Sequence, residues 1–245
     1  MKYFIVADVH GFYNEMRSAL DNAGYDKSNP NHTFVSLGDL LDRGRQPKEC
    51  IDFVLSIPKE RRILIYGNHE DLMEMALARN AWNTYDYSNG TVYTAMYLTG
   101  EVNANTALML MYHNDKYNAY IKECEFYHET NSYIFVHGWI PHESKVSRIP
   151  LGEIKNDHYY NSSWRNASVE EWRKALWYNG MESWAWDVKE PDKTICCGHW
   201  HTEWGNTHLH QELQPKYTPF IDEGIIALDA CTMVSGFVNC YVVED

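Results

Sequence analysis

Five short apolar runs in this chain each end in a residue able to hold a metal ion, with a glycine close by. Asp8-Val9-His10-Gly11 follows Lys2 to Ala7, and Gly38-Asp39 follows Thr33 to Leu37. Gly67-Asn68-His69-Glu70 follows Arg62 to Tyr66, His137-Gly138 follows Ser132 to Val136, and Gly198-His199-Trp200-His201 follows Thr194 to Cys197. Apolar runs of this length bounded by glycine read as buried strands. A single Asp or His at a strand end more often caps a helix or makes a local backbone bond. Five in succession are hard to obtain by chance, and open α/β sheets place their ligands at the C-terminal ends of strands. The densest stretch is Gly38-Asp39-Leu40-Leu41-Asp42-Arg43-Gly44, where Gly38 lets the backbone turn sharply out of its strand.

Helical patterns separate the first strands. Phe12, Met16, Ala19, Leu20 and Ala23 recur at helical spacing, with Gly24 as the stop. Pro47 opens a second helix running to about Ser56, with Ile51, Val54 and Leu55 turned inward. This alternation predicts right-handed βαβ units, a mainly parallel sheet and an α/β fold. From about Asn80 to Asn131 the alternation stops. Asn89-Gly90 marks a turn, and Tyr117, Tyr120, Ile121 and Cys124 share one helical face. The stretch reads as a helical cap packing on itself, with substrate lining as the lesser reading. A second insert, from Trp139 to Asp192, carries many of the nine tryptophans. In it Ser168 and Glu171 form a capping box for a helix bearing Trp172, Ala175 and Leu176, closed by Gly180. Such a flap is satellite core or, beside a cleft, a lid. The tail holds strands near Ile225 to Leu228 and Gly236 to Val243. With no repeat or linker, residues 1–245 read as one domain.

With 34 acidic and 21 basic residues, the formal net charge is −13. That argues against sequence-blind nucleic-acid binding, which needs clustered Lys and Arg. Bound dications could still make one site locally positive. The expectation is a cytoplasmic protein without signal peptide or membrane span, since no apolar run approaches the ~20 residues a span needs. The six cysteines show no paired spacing and read as reduced, mostly buried small hydrophobes. Cys196-Cys197-Gly198-His199 lacks the second Cys pair that would complete a tetrahedral zinc site.

The strand ends offer Asp8, His10, Asp39, Asn68, His69, His137, His199 and His201. Carboxylate, amide oxygen and imidazole without thiolate suit Mn²⁺, Fe or Zn²⁺. The set is too large for one ion and about right for two, and two ions ~3.5–4 Å apart can clamp an in-line displacement at phosphorus.

Taken together, these motifs resemble the signatures of the calcineurin-like metallophosphoesterases. Asp42-Arg43-Gly44 and Asn68-His69-Glu70 point to the phosphoprotein phosphatase (PPP) branch, in its compact bacterial and phage serine/threonine phosphatase form. The resemblance runs from Asp8 to His201 and leaves the two inserts uncovered. It implies a four-layer αββα sandwich with a helical cap and a Trp-rich insert, and a two-metal site at the strand ends. Asp8, His10 and Asp39 are thereby implied as ligands of a first metal, which His201 completes in the wider superfamily. Asp39, Asn68, His137 and His199 are implied for a second, with Asp39 bridging and Mn²⁺ as the first expectation. His69 is implied as the general acid, with Asp42 orienting it and raising its pKa. Arg43 would hold phosphoryl oxygens through charge-assisted bonds. Two departures stand out. Tyr66, and Asn179 in Leu176-Trp177-Tyr178-Asn179, occupy positions where the branch usually carries arginine. Arg45, Arg148, Arg165 and Arg173 are the candidates to substitute.

The resemblance implies hydrolysis of phosphomonoesters by a hydroxide bridging the two metals. Phosphoserine or phosphothreonine proteins, or small phosphoesters, are the first substrates. Symmetrical cleavage of dinucleoside tetraphosphates is the alternative, favoured by the missing arginines, by His201 and by aromatic inserts that could stack adenine. From another class, the chain could be a non-catalytic metal-binding interaction module, although neither a ligand nor the general acid has been lost.

Overall fold

The computed structural model describes residues 1–148 and 154–245, with side chains up to 145 and from 157 onward. The side chain of Arg148 therefore lies outside the described residues. Two sheets form the centre. The first has the order β11-β1-β2-β3, from Cys240–Glu244, Lys2–Val6, His32–Ser36 and Arg62–Leu64. The second has the order β4-β5-β8-β10-β9, from Tyr127–Glu129, Tyr133–Val136, Thr194–Cys197, Ile225–Ala227 and Phe220–Asp222. β1, β2 and β3 run parallel, as do β5, β8 and β10, while β11, β4 and β9 pair antiparallel at the edges.

Strand alternation explains the layering. In β1, Ile5 faces the second sheet, while Phe4 and Val6 face helices. In β5, Phe135 faces the first sheet, while Ile134 and Val136 face outward. The inter-sheet core thus holds Ile5, Val35, Leu37, Ile65, Phe135, Cys196, Ile226 and Leu228. Outside the first sheet pack α1 (Tyr13–Ala23), α2 (Pro47–Leu55), α3 (Asn68–Arg79), and the cap helices α4 to α7 (Thr84–Asn89, Thr91–Thr99, Ala104–Met111, Asp115–Glu123). Outside the second lie α8 (Val169–Ala175), α9 (Gly180–Ala185) and the buried Trp139, Trp164 and Trp172. The result is the four-layer αββα arrangement. No helix among the described residues is long and apolar enough to cross a membrane, and all six cysteines are free.

Several elements differ from the sequence expectation. The cap does not pack on itself alone: Ala95, Leu108, Met111, Tyr117 and Tyr120 join the core around α1 and α2. Gly24 ends α1 and Pro47 begins α2 as expected, but Gly180 opens α9 instead of closing α8. Asn179 is the N-cap of α9, accepting from the Glu182 N–H, and that bond is stronger punctuation than the glycine after it. β3 stops at Leu64, and Ile65 makes only an isolated bridge to Glu125. The tail strand starts at Cys240 rather than Gly236, behind a short helix over Thr232–Ser235. β4, β9 and a hairpin of β6 (Glu143–Arg148) and β7 (Ile154–Tyr159) were not expected. Edge and hairpin strands need no two-sided apolar run, so polar segments such as Tyr127-His128-Glu129 carry little periodic signal.

Phe135 is fully buried between the sheets. Truncation of such a ring removes buried area and leaves a cavity, so Phe135→Ala is expected to lower unfolding free energy by about 3–5 kcal/mol in urea melts.

Candidate functional site

The C-terminal ends of β1, β2, β5 and β8 and the start of α3 meet in one place, at the expense of backbone comfort. Asp8, His10, Asp39, Asp42, Arg43 and His199 all adopt left-handed φ, between 49° and 68°. Side-chain-bearing residues rarely sit there without compensation, and such strain gathers at functional sites. Gly38 has φ of 92°, and a methyl group on it would lie 2.7 Å from His137 Nδ1. A methyl on Gly198 would collide with Asp8 Oδ2. Neither position tolerates a side chain.

Asp39 is the centre. Its Oδ2 lies 3.7 Å from His10 Nε2 and 3.8 Å from His69 Nε2, and its Oδ1 lies 3.4 Å from His137 Nε2. His10, Asp39 and His69 thus form one group of ligand atoms, and Asp39, His137 and His199 form another. The two groups share the Asp39 carboxylate. Nδ1 of His10 lies 3.1 Å from the Leu41 carbonyl, and Nδ1 of His137 lies 2.7 Å from that of Leu37. With protons on those Nδ1 atoms, each Nε2 presents a lone pair inward, the usual arrangement of a metal-binding histidine. Asn68 Oδ1 sits 2.7 Å from His137 Nε2. Asp8 accepts the His199 N–H on Oδ2, while its Oδ1 is buried without a hydrogen-bond partner among the described residues.

His69 is held from both sides. Its Nδ1 is 2.7 Å from Asp42 Oδ2, and that carboxylate also accepts the Thr91 hydroxyl. Its Nε2 is 3.2 Å from Arg43 Nη2. Burial alone would lower the His69 pKa, but the Asp39 and Asp42 carboxylates outweigh it, and the net direction is up. Burial would raise Asp39, yet the imidazoles of His137, His69, His10 and His199 hold its carboxyl below the usual range. Burial, then repulsion from Asp229 and Asp39, pushes Asp8 well above its ordinary value. Burial and the neighbouring His137 take His199 down to about 3.

Inward lone pairs, an orphaned buried carboxylate oxygen, and carboxylates crowded together out of water fit a site for divalent cations. Cations would relieve the repulsion and satisfy Asp8 Oδ1. Carboxylate, amide-oxygen and imidazole donors without thiolate suit hard to borderline divalent ions.

Two expectations are not brought into the cluster. His201 follows His199 but is half exposed, with Nε2 3.8 Å from Asp229 Oδ2. Of the candidate arginines, Arg165 is tied to Glu129 and Glu190 and Arg173 to Asp71. Tyr66 donates to the same Asp71. Sequence reading missed Asp229, a buried acid whose carboxyl burial pushes up to about 7 against the lowering Cys231 N–H. The signal was present, since Asp229 ends the Ile225–Leu228 run, but no glycine flanks it. Glu70 was also missed as the residue that shapes the site. It accepts the backbone N–H groups of Asp39, Leu40 and Gly67 and the Tyr120 hydroxyl.

The sequence profile of the calcineurin-like phosphoesterases matches residues 1–203. An asymmetrical bis(5'-nucleosyl)-tetraphosphatase of Anoxybacillus flavithermus is 34% identical over 93 residues, which is 35% of this chain and 38% of that protein. The serine/threonine-protein phosphatase PP1-delta of Caenorhabditis elegans is 36% identical over 69 residues, 27% of this chain and 22% of that one. The matched stretches therefore span well under half the length of these relatives. Among solved structures, the cold-active protein-tyrosine phosphatase of a psychrophilic Shewanella superposes with a TM-score of 0.57 at 17% identity, covering 100% of this chain and 75% of that one, a likeness of fold. Profile, motifs and strand-end cluster agree, and the chain belongs to the calcineurin-like phosphoesterase family.

Proposed function

We propose that this chain is a two-metal phosphoesterase that hydrolyses phosphomonoesters, with phosphoserine or phosphothreonine proteins as the first substrate class. The carrying observation is the Asp39 carboxylate, grouped with His10 and His69 on one side and with His137 and His199 on the other, where His69 is also paired with Asp42. Asp8, His10 and Asp39 would hold one ion, joined by His201, and Asp39, Asn68, His137 and His199 the other. The ions, when bound, supply Lewis acidity toward the phosphoryl group and an acidified water. The rest is work for this chain's own side chains. Asp42 accepts the Nδ1 proton of His69, fixing the tautomer and favouring the imidazolium, so that Nε2 can deliver a proton to the leaving oxygen. Arg43, exposed beside His69 Nε2, offers its guanidinium to the phosphoryl oxygens.

A second reading, dinucleoside tetraphosphate hydrolysis, is favoured by the similarity to a tetraphosphatase and by the exposed Trp177 and Trp200 beside His199. A non-catalytic metal-binding module stands against an intact His69–Asp42–Arg43 set.

Purified protein supplied with Mn²⁺ is expected to hydrolyse p-nitrophenyl phosphate, to lose activity in EDTA, and to lose it in His69→Ala and Asp39→Ala. Two bound metals without hydrolysis of this ester, phosphopeptides or diadenosine tetraphosphate would instead favour the binding module, and chromatography of the products from the last would distinguish two ADP from ATP plus AMP.

The pH profile provides an independent check. Protonated His69 is the active form, so activity should fall as pH rises through its raised pKa. Asp42→Asn removes a carboxylate that raises it, so the alkaline limb of kcat/KM is expected to move to lower pH, with a rate loss on the order of 10²-fold. An unshifted limb would remove His69 from the role of acid.

For His201, replacement by alanine is expected to leave the fold intact and to raise the Mn²⁺ needed for half-maximal activity by ~10–100-fold. His199→Ala should be inactive at any Mn²⁺. An unchanged Mn²⁺ titration in His201→Ala would show that its half-exposed position reflects no bond to metal.

A further inference from the structure

His69 takes its orientation from residues 42 and 43, and those residues take theirs from the cap. The Asp42 carboxylate lies 2.7 Å from His69 Nδ1, and Arg43 Nη2 lies 3.2 Å from His69 Nε2. Asp42 and Arg43 sit at left-handed φ, 68° and 59°, which a residue with a side chain keeps only when its surroundings hold it there. The start of α5 supplies that hold. Thr94 Oγ1 accepts the Asp42 backbone N–H at 3.0 Å. Gly90, just before α5, comes so close that a methyl group on it would lie 2.6 Å from the Arg43 backbone nitrogen.

Thr91 acts differently from these two neighbours. It is fully buried, and its hydroxyl donates to Asp42 Oδ2 at 2.7 Å, the same oxygen that pairs with His69. α5 begins without a side-chain cap, so this hydroxyl serves the turn after β2 and not its own helix. One carboxylate oxygen can accept two donors, so Thr91 and His69 do not exclude each other. The terminal torsion of an aspartate is broad, and a carboxylate held by a single bond can turn away from its partner. With donors from α5 and from α3 converging on Oδ2, that torsion is fixed and the lone pair facing His69 Nδ1–H stays in line.

We propose that Thr91 is a positioning residue for the reaction: its hydroxyl, carried by the cap, fixes the Asp42 carboxylate that in turn holds the His69 imidazole. Thr94 and Gly90 seat the backbone of the turn, and Thr91 is the one of the three that bonds the carboxylate. The inference rests on the phosphoesterase reading of the Asp39 cluster and adds to it a residue of the cap, outside the strand-end motifs.

The test compares Thr91→Val, which keeps the branched shape and loses the hydroxyl, with Thr91→Ser, which keeps the hydroxyl. In the full chain with Mn²⁺ and p-nitrophenyl phosphate, Thr91→Val is expected to lose about 10-fold in kcat, the effect of one hydrogen bond to a charged group. KM and the half-saturating Mn²⁺ are expected to stay unchanged, and Thr91→Ser to keep the original kcat. In an Asp42→Ala background, Thr91→Val should cost nothing further, because a residue acting through Asp42 has nothing left to act on. A second readout needs no turnover. In metal-free protein labelled with ¹⁵N at histidine, the His69 Nδ1–H resonance, assigned by its loss in His69→Ala, should exchange with water about 10-fold faster in Thr91→Val and not in Thr91→Ser. If far-UV circular dichroism shows Thr91→Val unfolded, Thr91→Ala takes its place. The proposal is overturned by unchanged kcat in the folded variant, by Thr91→Ser as slow as Thr91→Val, by an equal loss in the Asp42→Ala background, or by an unmoved His69 resonance. Faster His69 exchange in a chain that hydrolyses no phosphoester upholds the Thr91–Asp42–His69 linkage and removes the reaction. Hydrolysis with an unmoved resonance removes the linkage alone.

Discussion

Glu70 is not among the candidate ligands, yet the site's geometry depends on it. One buried carboxylate accepts backbone N–H groups from the turn after β2 and from the turn after β3, and a hydroxyl from Tyr120 in α7. Three segments remote in sequence are thereby fixed to one another. Burial, with repulsion from Asp39, pushes this carboxyl up to about 7, and the backbone and tyrosine bonds oppose that rise. A buried acid can be tolerated only with such partners, because unpaired charge out of water is expensive. Tyr120 explains why the cap helices matter to the strand ends. They supply core to the first sheet and also a hydroxyl to the residue that sets the position of Asp39.

Around this anchor the molecule concentrates unfavourable terms. Six side-chain-bearing residues sit at left-handed φ, and Asp8, Asp39 and Asp229 are buried in mutual repulsion. A chain selected for stability alone has no reason to keep such an arrangement. The two packed sheets and their helical layers hold it, and cations are the partners whose binding would relieve it.

The inserts divide their aromatic residues between two tasks. Trp139, Trp164 and Trp172 are buried and build the core outside the second sheet, while Trp177 and Trp186 stay open, as does Trp200 beyond the insert. The positions where the branch usually has arginine are reused structurally. Asn179 caps α9, and Tyr66 shares Asp71 with Arg173.

The sequence alone determined the strand ends and the polar side chains they carry. Asp8, His10, Asp39, Asn68, His69, His137 and His199 were legible because each follows an apolar run beside a glycine, and strand periodicity is a local property. The helices α1, α2 and α8 were legible for the same reason, through spacing and caps. Only the tertiary structure decided which edges pair antiparallel, that a polar hairpin at β6–β7 walls a pocket, and that Gly180 begins a helix. It alone placed His201 Nε2 3.8 Å from Asp229 Oδ2. Such outcomes follow from packing and from hydrogen bonds between distant segments, and Glu70 is the clearest case. Its identity stands in the sequence, but the backbone donors it binds, 30 residues upstream, come together only in the folded chain.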